Sequence, residues 1–109
     1  MDIQKLGEPL LSCVTTHNEY FISRGRCVAV RTLASGTWLE DHFAIDERVS
    51  LNVCRRARAN DPLVHDLWVH TFDYRIRSGK VRAIGDASPE DVAEVRSQIL
   101  ARYAGGRAA

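Results

Sequence analysis

The sequence predicts an α+β domain: a strongly curved antiparallel β-meander of six or seven strands with one C-terminal helix packed on or across it. Three observations carry this. From Trp68 to Ile76 the even positions Trp68, His70, Phe72, Tyr74 and Ile76 are bulky, and from Asp73 on the odd ones are charged. Such period-two alternation is the signature of a strand with one face on a core. Turn signals recur at short intervals, at His17-Asn18, Arg24-Gly25, Ser35-Gly36 and Ser78-Gly79, which favours pairing between consecutive strands. A capped stripe of apolar residues at helical spacing then begins at Ser88.

Taken in order, Leu10–Thr16 is rich in β-branched residues and reads as a first strand, followed after His17-Asn18 by a short strand at Tyr20–Ile22. Cys27–Leu33 is apolar enough to be central. A two-residue turn at Ser35-Gly36 places Arg31 opposite Glu40, an opposite-charge cross-strand pair. Thr37–Ile45 begins like a strand and continues like a helical turn, and Val49–Val53 alternates as a strand. After the loop Ala59–Pro62, the strand Trp68–Ile76 turns at Ser78-Gly79, and Lys80–Ile84 returns antiparallel. Ser88 caps the helix, Pro89 suits its first turn, and Asp91 stands where a capping box closes. Val92, Val95, Ile99 and Tyr103, with Leu100 beside them, form its apolar stripe, and Gly105-Gly106 ends it.

At 109 residues the chain is read as one domain. Residues 1–9 are an irregular N-terminal segment, 10–85 the antiparallel sheet, 88–103 the helix and 104–109 a frayed tail. The 45% hydrophobic and 27% charged fractions are those of a folded globular protein. A formal net charge of +1 argues against a surface built to coat nucleic acid, and no nucleic-acid partner is expected. No apolar run reaches the roughly 18–20 residues that span a bilayer, so no membrane partner is expected either. Met1–Lys5 has neither the basic nor the apolar region of an export signal, and Cys13, Cys27 and Cys54 are an odd number at wide spacing. Reduced thiols in the cytoplasm are the expectation.

Val28–Thr37 (VAVRTLASGT) and Trp68–Asp86 (WVHTFDYRIRSGKVRAIGD) resemble the C-terminal sheet half of SnoaL-like proteins of the NTF2-like superfamily. The family's last hairpin is approximated by Phe72, Arg75, Gly79, Lys80 and Val81. The resemblance implies a curved sheet around a pocket used for small ligands, for isomerisation or hydration, or for dimerisation. The family's N-terminal helices are lacking, since too few residues precede Cys27, and a helix follows the last hairpin. No catalytic residue is carried over.

Two surfaces are candidates for function. The first is a pocket between curved sheet and helix for a small, partly apolar molecule, lined by Trp68, His70, Phe72 and Tyr74. His70 is the one candidate there for proton transfer, because an imidazole titrates near neutral pH. The second is an outward arginine surface, Arg56, Arg75, Arg77 and Arg82, engaging an anionic partner; arginine forks suit phosphates and carboxylates. On the expected hairpin Arg75 pairs with Arg82, a like-charge pair that an anion would relieve. A homodimer without ligand is the third reading. The histidines show no metal-ligand spacing, no cofactor fingerprint is present, and no motif decides whether the chain is an enzyme. Arginines beside Cys54 would favour its thiolate, whereas Cys27 reads as core.

Overall fold

A computed structural model describes residues 10–53 and 65–108, with side chains described for 10–52 and 65–102. The segment 1–9, Cys54, Arg56 and the rest of the basic run after Val53 lie outside the described residues. Among the described residues the fold is α+β, with eight strands in one antiparallel sheet followed by a helix. The strands are β1 (Leu10–Val14), β2 (Asn18–Ser23), β3 (Arg26–Thr32), β4 (Trp38–Leu39), β5 (Arg48–Val53), β6 (His65–His70), β7 (Arg75–Lys80) and β8 (Ala83–Asp86); the helix is α1 (Pro89–Ala108).

Sheet order is β7-β6-β5-β3-β2-β1-β8, with β4 paired to β3 off this path. Most neighbours are consecutive in sequence, as a meander requires, but β8 returns to pair with β1. β3 and β5 share a single register pair, Arg26↔Arg48, so the sheet bends there into two halves. Residues 81 and 82 then step from one sheet end to the other. The Val81 amide donates to the His65 carbonyl at 2.8 Å, and the Arg82 amide donates to the Val14 carbonyl at 2.7 Å. The sheet curls until its ends face each other across a seam but does not close.

Several elements form for local reasons. Arg24 and Gly25 both take positive φ, 53° and 77°, the two-residue type I′ turn that matches strand twist. The Asp91 amide donates to Ser88 Oγ at 3.1 Å, which makes Ser88 the cap of α1. The Asp91 carboxylate does not complete a capping box, because it binds Arg31 instead.

Other expectations are corrected. Eight strands replace the six or seven expected, because β4 and β8 are short and β8 pairs outside the meander. The last hairpin turns at 71–74, where the Thr71 amide and Oγ1 both donate to the Tyr74 carbonyl at 2.8 Å. Ser78 and Gly79 lie inside β7. Arg75 therefore stands opposite His70 and not Arg82. The β3–β4 connection is longer than two residues, so Arg31 faces Trp38 and not Glu40. α1 runs through Gly105 and Gly106 to Ala108: glycine lowers helix propensity by about 1 kcal/mol relative to alanine without forbidding the conformation.

Two core clusters occupy opposite faces of the β1–β3 half. On one, Cys13, Tyr20, Ile22, Cys27 and Val30 pack with Ala44 and with Leu67 and Val69 of β6, so the two halves of the bent sheet share this core. On the other, Leu10, Phe21, Val28 and Ala29 receive Val95 and Ile99 of α1. The helix covers the outside of the curved sheet. Val95 and Ile99 are buried as their spacing predicts, whereas Leu100 is exposed.

His42 belongs to the loop beside the inner core. Its ring stacks on Phe43 with centroids 4.6 Å apart and meets Tyr20 edge-on at 5.4 Å, and its Nδ1 accepts from the Ala44 amide at 3.1 Å. Burial pushes its pKa below the usual 6.5. A base whose folded pKa is depressed supports the fold above its unfolded pKa, and this support is lost as pH falls through the folded value. The protein is therefore expected to lose thermal stability on acidification below about pH 6.5, and His42→Gln to flatten that part of a Tm-against-pH curve. Parallel curves for the two proteins would refute this.

Candidate functional site: the outer face of β5–β7 and the seam

In β6 the alternation is inverted relative to expectation. Leu67 and Val69 are buried, and the even residues point away from the shared core. The large aromatic side chains fall on the even positions and the aliphatic Leu67 and Val69 on the odd ones, so bulk alone does not reveal which set faces inward, and a one-residue change of parity moves every side chain across the sheet. Trp68 and His70 are half-buried on the outer face. Phe72, at 99% exposure, and Tyr74, at 61%, lie at the β6–β7 turn. The four residues expected to line a pocket between sheet and helix are thus not gathered there. That interface is filled by Leu10, Phe21, Val28, Val95 and Ile99.

The cross-strand register assembles the outer face. Arg48, His70 and Arg75 form one row over β5, β6 and β7, and Ser50, Trp68 and Arg77 form the next. The Arg75 guanidinium lies 5.3 Å from the Trp68 ring centroid, within cation–π range. His70 Nε2 and Ser50 Oγ are hydrogen-bonded at 2.7 Å. Arg77 binds the buried Asp66 at 2.8 Å, which holds its guanidinium against the sheet. Over β5–β7 and the turn, Arg48, Arg75, Arg77 and Lys80 stand against Asp66 and Asp73, an excess of positive charge. Of the expected arginine surface, Arg75 and Arg77 share this face, Arg82 lies in the two-residue link to β8, and Arg56 is outside the described residues.

The seam is a second site. A cleft of about 340 Å³ opens between the β1–β2 turn, with Thr15, Thr16 and His17, and β7, with Arg77, Ser78 and Lys80. Its shape follows from a bulge. Lys80 and Gly79 pair with Asp66 and Leu67, but Arg77 pairs with Trp68, so Ser78 is the extra residue of β7. Bulges of this kind re-aim a side chain at the cost of a ladder bond. Gly79 has φ +148°, a backbone conformation that a residue with a side chain rarely adopts, and a Cβ there would only touch that of Thr15 at 3.5 Å; glycine is needed for the backbone of the bulge. The Ser78 hydroxyl is buried without a hydrogen-bond partner, a condition that costs about 1–3 kcal/mol if nothing satisfies it. Sequence reasoning assigned Ser78-Gly79 to a turn and missed this cleft. The available signal was a glycine inside an alternating run, which marks a bulge as readily as a turn.

Burial pushes the Cys13 thiol up to about 11 and that of Cys27 up to about 12, which keeps both protonated and unreactive at neutral pH. Among the described residues no group of histidine, cysteine and carboxylate side chains has the arrangement of a metal site. No helix among them is long and apolar enough to cross a membrane. Comparison of the chain with protein-family models, curated proteins and solved structures returns no match.

Proposed function

We propose that this domain is a binding module that engages an acidic segment of a partner protein through the outer face of β5–β7. The observation that carries the reading is the β6–β7 tip, where the fully exposed Phe72 and the exposed Tyr74 project beside the row Arg48–His70–Arg75. An exposed aromatic pair beside arginine forks offers both apolar anchorage and charge-assisted hydrogen bonds, the two contributions that dominate protein interfaces. Trp68, already stacked under Arg75, extends the apolar floor of the same surface. The alternative of a small apolar ligand around His70 has less support, because Phe72 and Tyr74 are splayed into solvent and His70 is engaged by Ser50.

The test is fluorescence anisotropy with a labelled glutamate-rich peptide over a range of salt concentrations. Binding is expected to weaken as salt rises, and Arg75→Glu and Phe72→Ala are each expected to weaken it by about tenfold. Binding indifferent to salt and to both substitutions would overturn the reading. A labelled single-stranded oligonucleotide that binds more tightly than the peptide would move the proposal to nucleic acid.

A further inference from the structure

We propose that the seam between β7 and the β1–β2 turn is a binding site for a phosphate-class oxyanion, a site separate from the tip that carries the partner-binding reading. The cleft combines donors from two parts of the chain that the curled sheet brings together. Lys80 supplies an ammonium, Arg77 a guanidinium held in place by Asp66, and Thr16, Ser78 and His17 supply hydroxyl and imidazole groups. No carboxylate lines it among the described residues. Asp66 takes one side of the Arg77 guanidinium, and the groups that line the cleft itself are all donors or neutral, the chemistry that recognises a tetrahedral anion.

The bulge makes this more than a basic patch. An uninterrupted β7 would alternate Arg77 and Gly79 with Ser78 on the opposite face. The extra residue instead sets Ser78 beside both cations at the seam, where its buried hydroxyl meets no partner. A buried hydroxyl that the protein leaves unsatisfied calls for a partner such as a water or an ion, and an anion in the cleft would supply one. The positive φ of Gly79 disfavours any side chain there, which leaves that side of the cleft unobstructed. The volume of about 340 Å³ exceeds that of a phosphate ion and leaves room for the organic part of a phosphate monoester.

The experiment is NMR titration of the full chain with inorganic phosphate and with glycerol phosphate, against sodium chloride at matched ionic strength. Saturable shifts are expected at the amides of Thr15–His17 and Ser78–Lys80 with phosphate but not with chloride. Lys80→Gln and Ser78→Ala, each checked for an unchanged fold by circular dichroism, are expected to weaken binding by about tenfold. Tighter binding of glycerol phosphate assigns the site to a phosphorylated small molecule, and equal or weaker binding assigns it to free phosphate. Shifts that are unsaturable, that chloride reproduces, or that persist unchanged in both variants would overturn the proposal. Ser78→Ala changes no charge of the β5–β7 face and leaves Arg75 and Phe72 untouched, so loss of phosphate binding in that variant and loss of peptide binding in Arg75→Glu are separate results.

Discussion

Phe21→Ala is expected to destabilise the domain by about 3–5 kcal/mol, the cost of deleting a buried phenyl ring and leaving a cavity. The ring is fully buried at the centre of the cluster joining the sheet to α1. Its centroid lies 5.3 Å from that of Trp38, and the Arg31 guanidinium lies 5.2 Å above it. Three interactions are therefore lost together: apolar burial against Leu10, Val95 and Ile99, an aromatic pair and a cation–π contact. Small domains have a total stability of about 5–15 kcal/mol, so the loss is a large share of it. Urea unfolding should show a markedly lower midpoint with little change of slope. Leu100→Ala, on the exposed side of the same helix, should change stability by about 0.5 kcal/mol or less. Equal effects of the two substitutions would mean that α1 is not docked through this face.

Arg31→Met is the second large effect, expected at about 2–3 kcal/mol, between the values for exposed and buried ion pairs. Arg31 stands directly opposite Glu19 on β2 and reaches Asp91 and Glu94 in the first turns of α1, at 2.6, 2.9 and 3.3 Å. Its guanidinium also lies 5.0 Å from the Trp38 ring centroid. The Asp91 hydrogen bonds, against the opposing effect of burial and with the help of Glu19, hold its pKa well above the usual arginine value, so it stays charged at every accessible pH. Removing it strands Glu19 and Asp91 together in a half-buried site, with Glu19 still held by Ser12. Arg31→Met/Asp91→Asn should lose less than the sum of the single substitutions, because removing the guanidinium also removes the partner of Asp91. Strict additivity in thermal or urea unfolding would show that the two groups do not act as a unit.

Features that depend on a few adjacent residues were legible. Arg24-Gly25 specifies its turn through positive φ, and Ser88-Pro89 specifies the start of α1 through a hydroxyl acceptor and a preset dihedral. The helical stripe placed Val95 and Ile99 correctly, since a 3.6-residue period identifies the face of a helix wherever it docks. Features that depend on register were not. Thr71 closes the last turn with its own side chain, a local signal weaker than glycine. A turn at Ser78-Gly79 implies Arg75 opposite Arg82, and taking the bulkier side chains as the buried ones turns the wrong face of β6 inward. A short turn likewise pairs Arg31 with Glu40, whereas its partners are Glu19 across the neighbouring strand and two acids of α1, about 60 positions along the chain.

Residue patterns alone specify an α+β domain of antiparallel strands, the places of most of its strands, and the start of its one described helix. Periodicity, turn chemistry and capping act within a few residues and need no knowledge of what packs where. The bend at Arg26↔Arg48, the docking of α1 on the outside and the return of β8 to β1 that leaves a seam come from long-range packing. Those outcomes depend on which face of each strand finds the larger partner surface and on a single extra residue in β7. A sequence pattern with a period of two carries neither piece of information.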